Sequence, residues 1–191
     1  GPRVPPQPFL PRPLPPQERD PLPLEDLVAF VEHPVKAFLT QRAGVPVGED
    51  DEEPPDALPV QPDALARWSV GDRLLRDRLA GHDLDRARKA EWRRGALPPG
   101  ALGDAFLAEV LDEVEPLVAA AEEVRGGEPP TDVDVDVQVP DGRVVGTLSG
   151  IHGRRLVRVE FSRLAPKNRL RAWVQLLALT VAEPGQEWTA V

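Results

Sequence analysis

Three aspartates alternate with valines in the second half of the chain. Asp132, Asp134 and Asp136 would share one face of a β-strand, and carboxylates are ligands that a divalent cation prefers. Side chains two residues apart on a strand are about 6.5–7 Å apart, which is too far for a compact ion site without other strands. The alternation therefore favours a half-buried strand with a solvated acidic face over a metal site.

The composition excludes several other chemistries. The 191 residues include no cysteine, so disulfides and thiolate metal ligands are ruled out. There are only three histidines, and the sequence has no glycine-rich phosphate loop and no nucleophile elbow. No apolar run approaches the roughly 20 residues that a membrane span needs. We therefore expect no cofactor, no small-molecule substrate, no membrane contact and a cytoplasmic location.

Charge is segregated along the chain. The net charge is −9, which argues against a stand-alone nucleic-acid binder. Residues 67–94 and 154–171 are rich in basic side chains, whereas residues 49–56 and 104–128 are acidic. Such segregation can steer association with a partner, although the solvated faces of separate helices give the same pattern.

The spacing of apolar residues predicts helices first, then strands, then a final helix. Residues 1–23 hold ten prolines, which is typical of an extended arm or linker. Helical periodicity runs through 24–125, with an acidic, proline-rich loop at 45–62. Alternation from residue 131 predicts a three-stranded meander whose third strand spans 156–161, and a helical pattern then covers 166–182. This order predicts an α+β fold with a short, mainly antiparallel sheet and a packing helix.

The segment GTLSGIHGRRLVRVEFSRLAPKNRLRAWVQLLAL resembles the PD-(D/E)xK nucleases, a restriction-endonuclease-like family. In that family, two carboxylates on adjacent strands hold Mg²⁺, a lysine positions the attacking water, and a helix with a Gln-x-x-x-Tyr signature follows. The corresponding positions here are Ser149, Glu160, Ser162, Gln175 and Leu179. The first acid, the lysine and the tyrosine are therefore missing. The resemblance implies a degenerate nuclease-like domain, because one carboxylate alone holds Mg²⁺ too weakly for hydrolysis.

Longer stretches are similar to the C-terminal domain of RecC, the gamma chain of exodeoxyribonuclease V. The resemblance rests on LPLEDLVAFVEHPVKAFLTQRAGV, RWSVGDRLLRDRLAG, GALPPGALGDAFL and LSGIHGRRLVRVEFSRLAPKNRLRAWVQLLALT. It implies one domain over 24–191, with a helical part at 24–125 and a sheet-and-helix part at 131–183. The chain has no methionine and ends earlier than the family domain, so we expect a fragment that is truncated at its C-terminus.

The family resemblance also implies a function. RecC joins RecB and RecD in an ATP-dependent helicase and exodeoxyribonuclease that processes double-strand breaks, and RecC scans for the Chi sequence. The resemblance thus implies a non-catalytic structural and interaction domain that supports subunit assembly and DNA strand guidance in repair and recombination. The expected partners are RecB, RecD and, within the complex, DNA.

Two alternatives stay open at this stage. An active Mg²⁺-dependent nuclease would need migrated residues, namely Asp134 or Asp136 together with Glu160 and Lys167. A protein-only scaffold without DNA contact would differ mainly in what the basic stretches do. The arginines with which the domain could contact DNA or a subunit are Arg154, Arg155, Arg158, Arg163 and Arg169.

Overall fold

The computed structural model of the chain describes residues 12–15, 20–46 and 62–191, and its fold class is α+β. The helices are α1 (Leu24–Glu32), α2 (Pro34–Ala37), α3 (Ala64–Leu79), α4 (Leu84–Arg93), α5 (Ala101–Arg125) and α6 (Pro166–Ala182), and a π-helical turn (Phe38–Arg42) follows α2. The strands are β1 (Leu22–Pro23), β2 (Pro130–Val139), β3 (Gly142–His152), β4 (Arg155–Leu156) and β5 (Thr189–Ala190). The predicted order of helices, meander and final helix is confirmed.

The middle helices form a core of their own, which we call the helical core. Asp63 begins α3 by accepting a hydrogen bond of 2.7 Å from the backbone N–H of Ala66, as its position before the apolar pattern predicts. Asp83 begins α4 in the same way. Helix α5 continues through Pro116 and packs along α3. The buried side chains of the helical core are Val70, Leu74, Leu75, Ala87, Leu97, Phe106, Leu107, Val110, Leu111, Val114 and Val118.

The sheet is built on a long hairpin. Strands β2 and β3 pair antiparallel, and Asp136 lies opposite Val145. The alternation along β2 buries Val135 and Val137 and exposes the aspartates, so the predicted half-buried strand is confirmed. Helices α1 and α6 cover the buried face. The buried members of this sheet core are Leu24, Val28, Val135, Val137, Val144, Leu148, Ile151, Leu156 and Leu179.

Short strands complete the sheet and make it mixed. Strand β1 pairs parallel with the start of β3, and β4 pairs antiparallel with its end, both on the edge away from β2. Strand β5 then pairs parallel with β4. Residues Leu22 and Pro23, which the composition assigned to the proline-rich arm, therefore belong to the sheet.

The third strand is shorter than the sequence predicts. It ends at Leu156. The backbone N–H groups of Val157 and Arg158 still donate to Gly150 and Val191, and after Arg158 the chain crosses to the helical core. Val159 and Phe161 pack against that core, and the Phe161 ring lies so close to Gly71 that a Cβ there would be 2.1 Å from it. The apolar residues at 156–161 are therefore buried in two different cores and do not form a six-residue strand. Among the described residues, no helix is long and apolar enough to cross a membrane.

Candidate functional site

Glu160 lies in the segment that crosses from β4 to α6, and both of its carboxylate oxygens accept hydrogen bonds. Asn168 donates to Oε2 over 2.6 Å, and Arg171 donates to Oε1 over 2.8 Å. Both donors lie in the first turns of α6, where Asn168 is buried. The carboxylate is therefore held and neutralised by side chains of this chain.

Arg171 connects Glu160 to a second carboxylate. Its Nε donates to Glu32 over 2.6 Å, and the Glu32 side chain at the end of α1 is only 12% exposed. One guanidinium thus bridges two acids from distant parts of the sequence. It ties α1, α6 and the crossing segment together.

Arg158 makes a different set of contacts. Its Nε donates to Oε1 of Gln175 and its NH1 donates to the carbonyl of Ser149, both over 2.9 Å. Among the described residues, its acceptors are an amide oxygen and backbone carbonyls, including that of Val157, and none is a carboxylate. Burial lowers the pKa of Arg158 below its ordinary value, and the positive charge of Arg171 lowers it further.

Some of these groups line a cavity between α1, β3 and α6 with a volume of about 660 Å³. Its lining combines apolar side chains with charged and polar ones. The apolar ones include Leu24, Val28 and Leu148, and the charged and polar ones include Glu25, Glu32, Arg158, Arg171 and Gln175. A cavity of this size can hold a small ligand.

Two of the five degenerate motif positions contribute side chains to hydrogen bonds here, but to separate sets: Glu160 accepts from Asn168 and Arg171, and Gln175 accepts from Arg158. Ser149 is exposed and contributes its backbone carbonyl, and the exposed Ser162 donates to the carbonyl of Arg163. Leu179 is fully buried in the sheet core. The expectation that Glu160 and Ser162 face the same way assumed a strand, and the crossing segment is not one.

The aspartates of β2 are apart from this network. They lie on the exposed face of the sheet, opposite the valines that pack against the helices. Thr147 donates to Asp134 over 2.8 Å, and the Arg143 guanidinium donates to both oxygens of Asp136. These hydrogen bonds lower the pKa of Asp136 below its ordinary value. In the part of the chain that the structure describes, no three His, Asp or Glu side chains are grouped to hold a metal ion.

Comparison with known proteins decides the family. The family model of the RecC C-terminal domain matches residues 19–190. The chain belongs to the RecC C-terminal domain family. It is 43% identical over 192 residues to the RecBCD enzyme subunit RecC of Mycobacterium tuberculosis (strain ATCC 25618 / H37Rv), covering 100% of this chain and 17% of that protein.

Two further relatives carry the same name. The RecBCD enzyme subunit RecC of Mycolicibacterium smegmatis is 41% identical over 96% of this chain, which corresponds to 17% of that protein. The RecBCD enzyme subunit RecC of Escherichia coli (strain K12) is 28% identical over 87% of this chain and 15% of that protein. The chain thus spans about one-sixth of the length of these relatives, and the predicted family is confirmed.

In this RecC C-terminal domain, the five candidate contact arginines fall into two groups. Arg155 donates over 2.6 Å to the carbonyl of Val124, at the end of α5, and Arg158 belongs to the cavity network. The other three, Arg154, Arg163 and Arg169, are exposed. A half-buried arginine that binds backbone carbonyls stabilises its own domain, whereas the three exposed side chains are accessible to solvent.

Sequence reasoning missed three members of the network, namely Glu32, Asn168 and Arg171. Nothing local marks them, because Glu32 and Arg171 are 139 residues apart. The one signal in the sequence is Gln175, which belongs to the helix of the nuclease-like signature. That signature predicts a helix that begins shortly after Glu160.

Proposed function

We propose that this domain is a non-catalytic structural and interaction module with a degenerate restriction-endonuclease-like fold. It serves RecC within a RecBCD-type complex in the cytoplasm, where it supports assembly with RecB and RecD and guides DNA strands in double-strand-break repair and recombination. The observation that carries the non-catalytic part is the engagement of both Glu160 oxygens by Asn168 and Arg171.

The chemistry of magnesium explains why this engagement matters. Mg²⁺ needs near-octahedral oxygen ligands at about 2.0–2.1 Å, normally with one or two free carboxylates. The acid that shares a hydrogen-bond donor with Glu160 is Glu32, and both bind the same Arg171 guanidinium. The guanidinium offsets one of their two negative charges, whereas Mg²⁺ would offset both, and it cannot activate water as a metal ion does.

The order of elements supports the nuclease-like fold. Strand β3, the turn at Gly153, strand β4 and helix α6 follow one another as the resemblance requires. The parallel pairing of β5 with β4 closes the unit after α6. The missing acid and lysine at Ser149 and Ser162 then support a fold that has lost its chemistry.

The first prediction concerns catalysis. We expect the chain to show no cleavage of linear duplex DNA in Mg²⁺ or Mn²⁺, because Asn168 and Arg171 bind both oxygens of Glu160 and, among the described residues, no three His, Asp or Glu side chains are grouped to hold a metal ion. The measurement is gel analysis of labelled duplex with the wild-type chain and with Glu160→Gln, which keeps the shape of the side chain. Metal-dependent cleavage by the wild-type chain that Glu160→Gln abolishes, with its fold intact by circular dichroism, would contradict the proposal.

The surface of α6 supports the interaction role. Four apolar side chains lie along one side of the helix and are 37–58% exposed: Leu170, Trp173, Leu177 and Val181. We call them the α6 stripe. They are spaced at i, i+3, i+7 and i+11, which is one helix face, whereas Val174 and Leu179 face the sheet core. A continuous apolar face flanked by the exposed Arg169 suits a protein partner better than a nucleic acid.

The second prediction assigns the α6 stripe to a RecD-type subunit, the partner that the family resemblance implies for this region. We expect Trp173→Glu in full-length RecC to weaken co-purification of RecD at least about tenfold, because a buried tryptophan anchor contributes 2 kcal/mol or more, on the order of hot-spot values. Trp68→Glu is the matched control, since Trp68 is 45% exposed on α3. An equal loss of RecD co-purification in both variants, or no loss with Trp173→Glu, would contradict this assignment.

A further inference from the structure

Strand β2 lies at an edge of the sheet. It is ten residues long and pairs with β3 on one side, and within the described part of the chain no strand pairs with its other side, which we call the β2 edge. Its one proline is Pro130 at the first position, so no proline interrupts the strand. An edge of this length presents a row of backbone N–H and C=O groups that can pair with another chain.

The register of the hairpin shows which backbone groups point away from β3. The two-residue turn brings the N–H of Gly142 to the carbonyl of Val139, so these residues form a hydrogen-bonded pair. Hydrogen-bonded and non-hydrogen-bonded pairs then alternate along the ladder, so Asp134, Asp136 and Gln138 direct their N–H and C=O groups off the edge. Among the described residues, no loop or turn forms a backbone hydrogen bond with these groups.

The side chains on the exposed face beside the β2 edge are mainly acidic. Asp132, Asp134 and Asp136 are all exposed. Arg143 pairs with Asp136, whereas Asp134 accepts a hydrogen bond from the neutral hydroxyl of Thr147. The three carboxylates outnumber the guanidinium, so this face stays negative. A basic side chain in an added strand would lie directly beside the carboxylates, because opposite residues of paired strands are close neighbours.

A second copy of this chain does not suit the β2 edge. In antiparallel self-pairing, the register that uses all three outward-directed residues places Asp136 opposite Asp136 of the copy. Like charges directly opposite each other destabilise a strand pair, and charged side chains are one means by which sheet edges avoid self-association. The edge therefore selects its partner by charge.

We propose that the β2 edge binds an extended segment of a partner protein in which basic and apolar residues alternate. The segment adds an antiparallel strand through main-chain hydrogen bonds to Asp134, Asp136 and Gln138. Its basic side chains face the aspartates. Its apolar side chains lie on the other face, beside the half-buried Val133 at the margin of the sheet core. The proposal does not depend on the α6 stripe or on the subunit that the stripe contacts.

The test adds a peptide of about seven residues, in which lysine alternates with valine, to the 191-residue chain and follows amide hydrogen exchange by NMR. In the free chain, the N–H groups of Asp134, Asp136 and Gln138 should exchange faster than those of Val135 and Val137, which pair with β3. Saturating peptide should slow the exchange of the three outward-directed N–H groups at least about tenfold, because they become hydrogen-bonded to the added strand.

Two N-methylated peptides of equal charge separate strand addition from simple charge attraction. In the added strand, the lysines lie opposite the aspartates, so their N–H groups point at β2 and those of the valines point away. Methylation of the lysine backbone nitrogens should weaken binding at least about tenfold, because the hydrogen bonds to the edge are lost. Methylation of the valine nitrogens should change binding by less than about threefold, since these groups do not contact β2.

Asp134→Asn tests the contribution of charge. We expect it to weaken binding of the unmethylated peptide about two- to fivefold at constant ionic strength, because one cross-strand pair of opposite charges is lost. Asp112→Asn is the matched control, since it removes the same charge from an exposed position on α5, and it should leave binding unchanged. Thermal unfolding of each variant checks that the fold is intact.

Several outcomes would overturn the inference. One is equal binding of the two methylated peptides, or equal weakening by Asp112→Asn and Asp134→Asn. Another is tight binding of a peptide in which glutamate alternates with valine. Protection of the three outward-directed N–H groups by a rise in protein concentration alone would make a second copy the occupant and would also overturn it.

Discussion

Replacing Glu91 with alanine is expected to lower the free energy of unfolding by about 3 kcal/mol, which is the lower end of the range for breaking a buried ion pair. Glu91 lies on α4 with 2% of its side chain exposed. Arg73 of α3 donates to both of its oxygens, over 2.9 and 2.7 Å, and Arg94 lies 3.2 Å away. Removing the acid leaves Arg73 next to the helical core without its anion. Because Arg73 is 26% exposed and regains some water, the larger values are not expected.

The matched control is Glu115→Ala. Arg78 donates to both oxygens of Glu115, over 2.7 and 3.2 Å, so the two pairs have the same bidentate form. The Glu115 side chain is 41% exposed, and we expect its loss to cost about 0–1 kcal/mol. Urea unfolding curves of the two variants and the wild-type chain give the comparison. Similar losses for both variants would show that burial does not set the strength of the Glu91 pair.

The ion pair between Arg73 and Glu91 also reduces the positive charge that the basic segment 67–94 can present to a partner. On charge alone, this segment predicts a surface that steers a partner. In the structure, the hydrogen bonds to Glu91 raise the pKa of Arg73, and those to Glu115 raise the pKa of Arg78. These guanidinium groups are occupied within the domain. A count of basic residues therefore overstates the charge that a DNA strand would meet here.

Local rules predicted much of the fold because the relevant interactions are local. The cap at Asp63 needs only the next three residues, and the alternation in β2 needs only one buried face. These features followed from spacing alone. The hairpin at residues 141–142 is equally local, since its turn chemistry lies within two positions.

The candidate site could not be predicted in the same way, because its contacts join distant segments. Glu160 is one of the positions that the motif singled out, yet its donor Arg171 is shared with Glu32, 139 residues from Arg171. The position at which β4 ends depends on the packing of Phe161 against Gly71 in the helical core. Apolar residues at every second position fit both a longer strand and a crossing segment. Only tertiary packing therefore decides between the two.

The last prediction concerns Leu179, the position where the nuclease-like signature has tyrosine. Leu179 is completely buried in the sheet core, so Leu179→Ala is expected to cost about 2.7–5 kcal/mol through lost burial and the resulting cavity. Leu177→Ala removes the same atoms two residues earlier on α6, where the side chain is 46% exposed, and should change stability by no more than about 0.5 kcal/mol. Thermal and urea unfolding of both variants measure the difference.

The two leucines also separate folding from recognition. If the α6 stripe meets a RecD-type subunit, Leu177→Ala weakens that association at nearly unchanged stability. Leu179→Ala lowers stability, but below its unfolding transition it leaves the stripe in place. A large loss of stability with Leu177→Ala would place the stripe in the core of the domain. A negligible loss of stability with Leu179→Ala would mean that this signature position does not contribute to packing. It would then no longer support the proposal that packing residues have replaced catalytic ones in this fold.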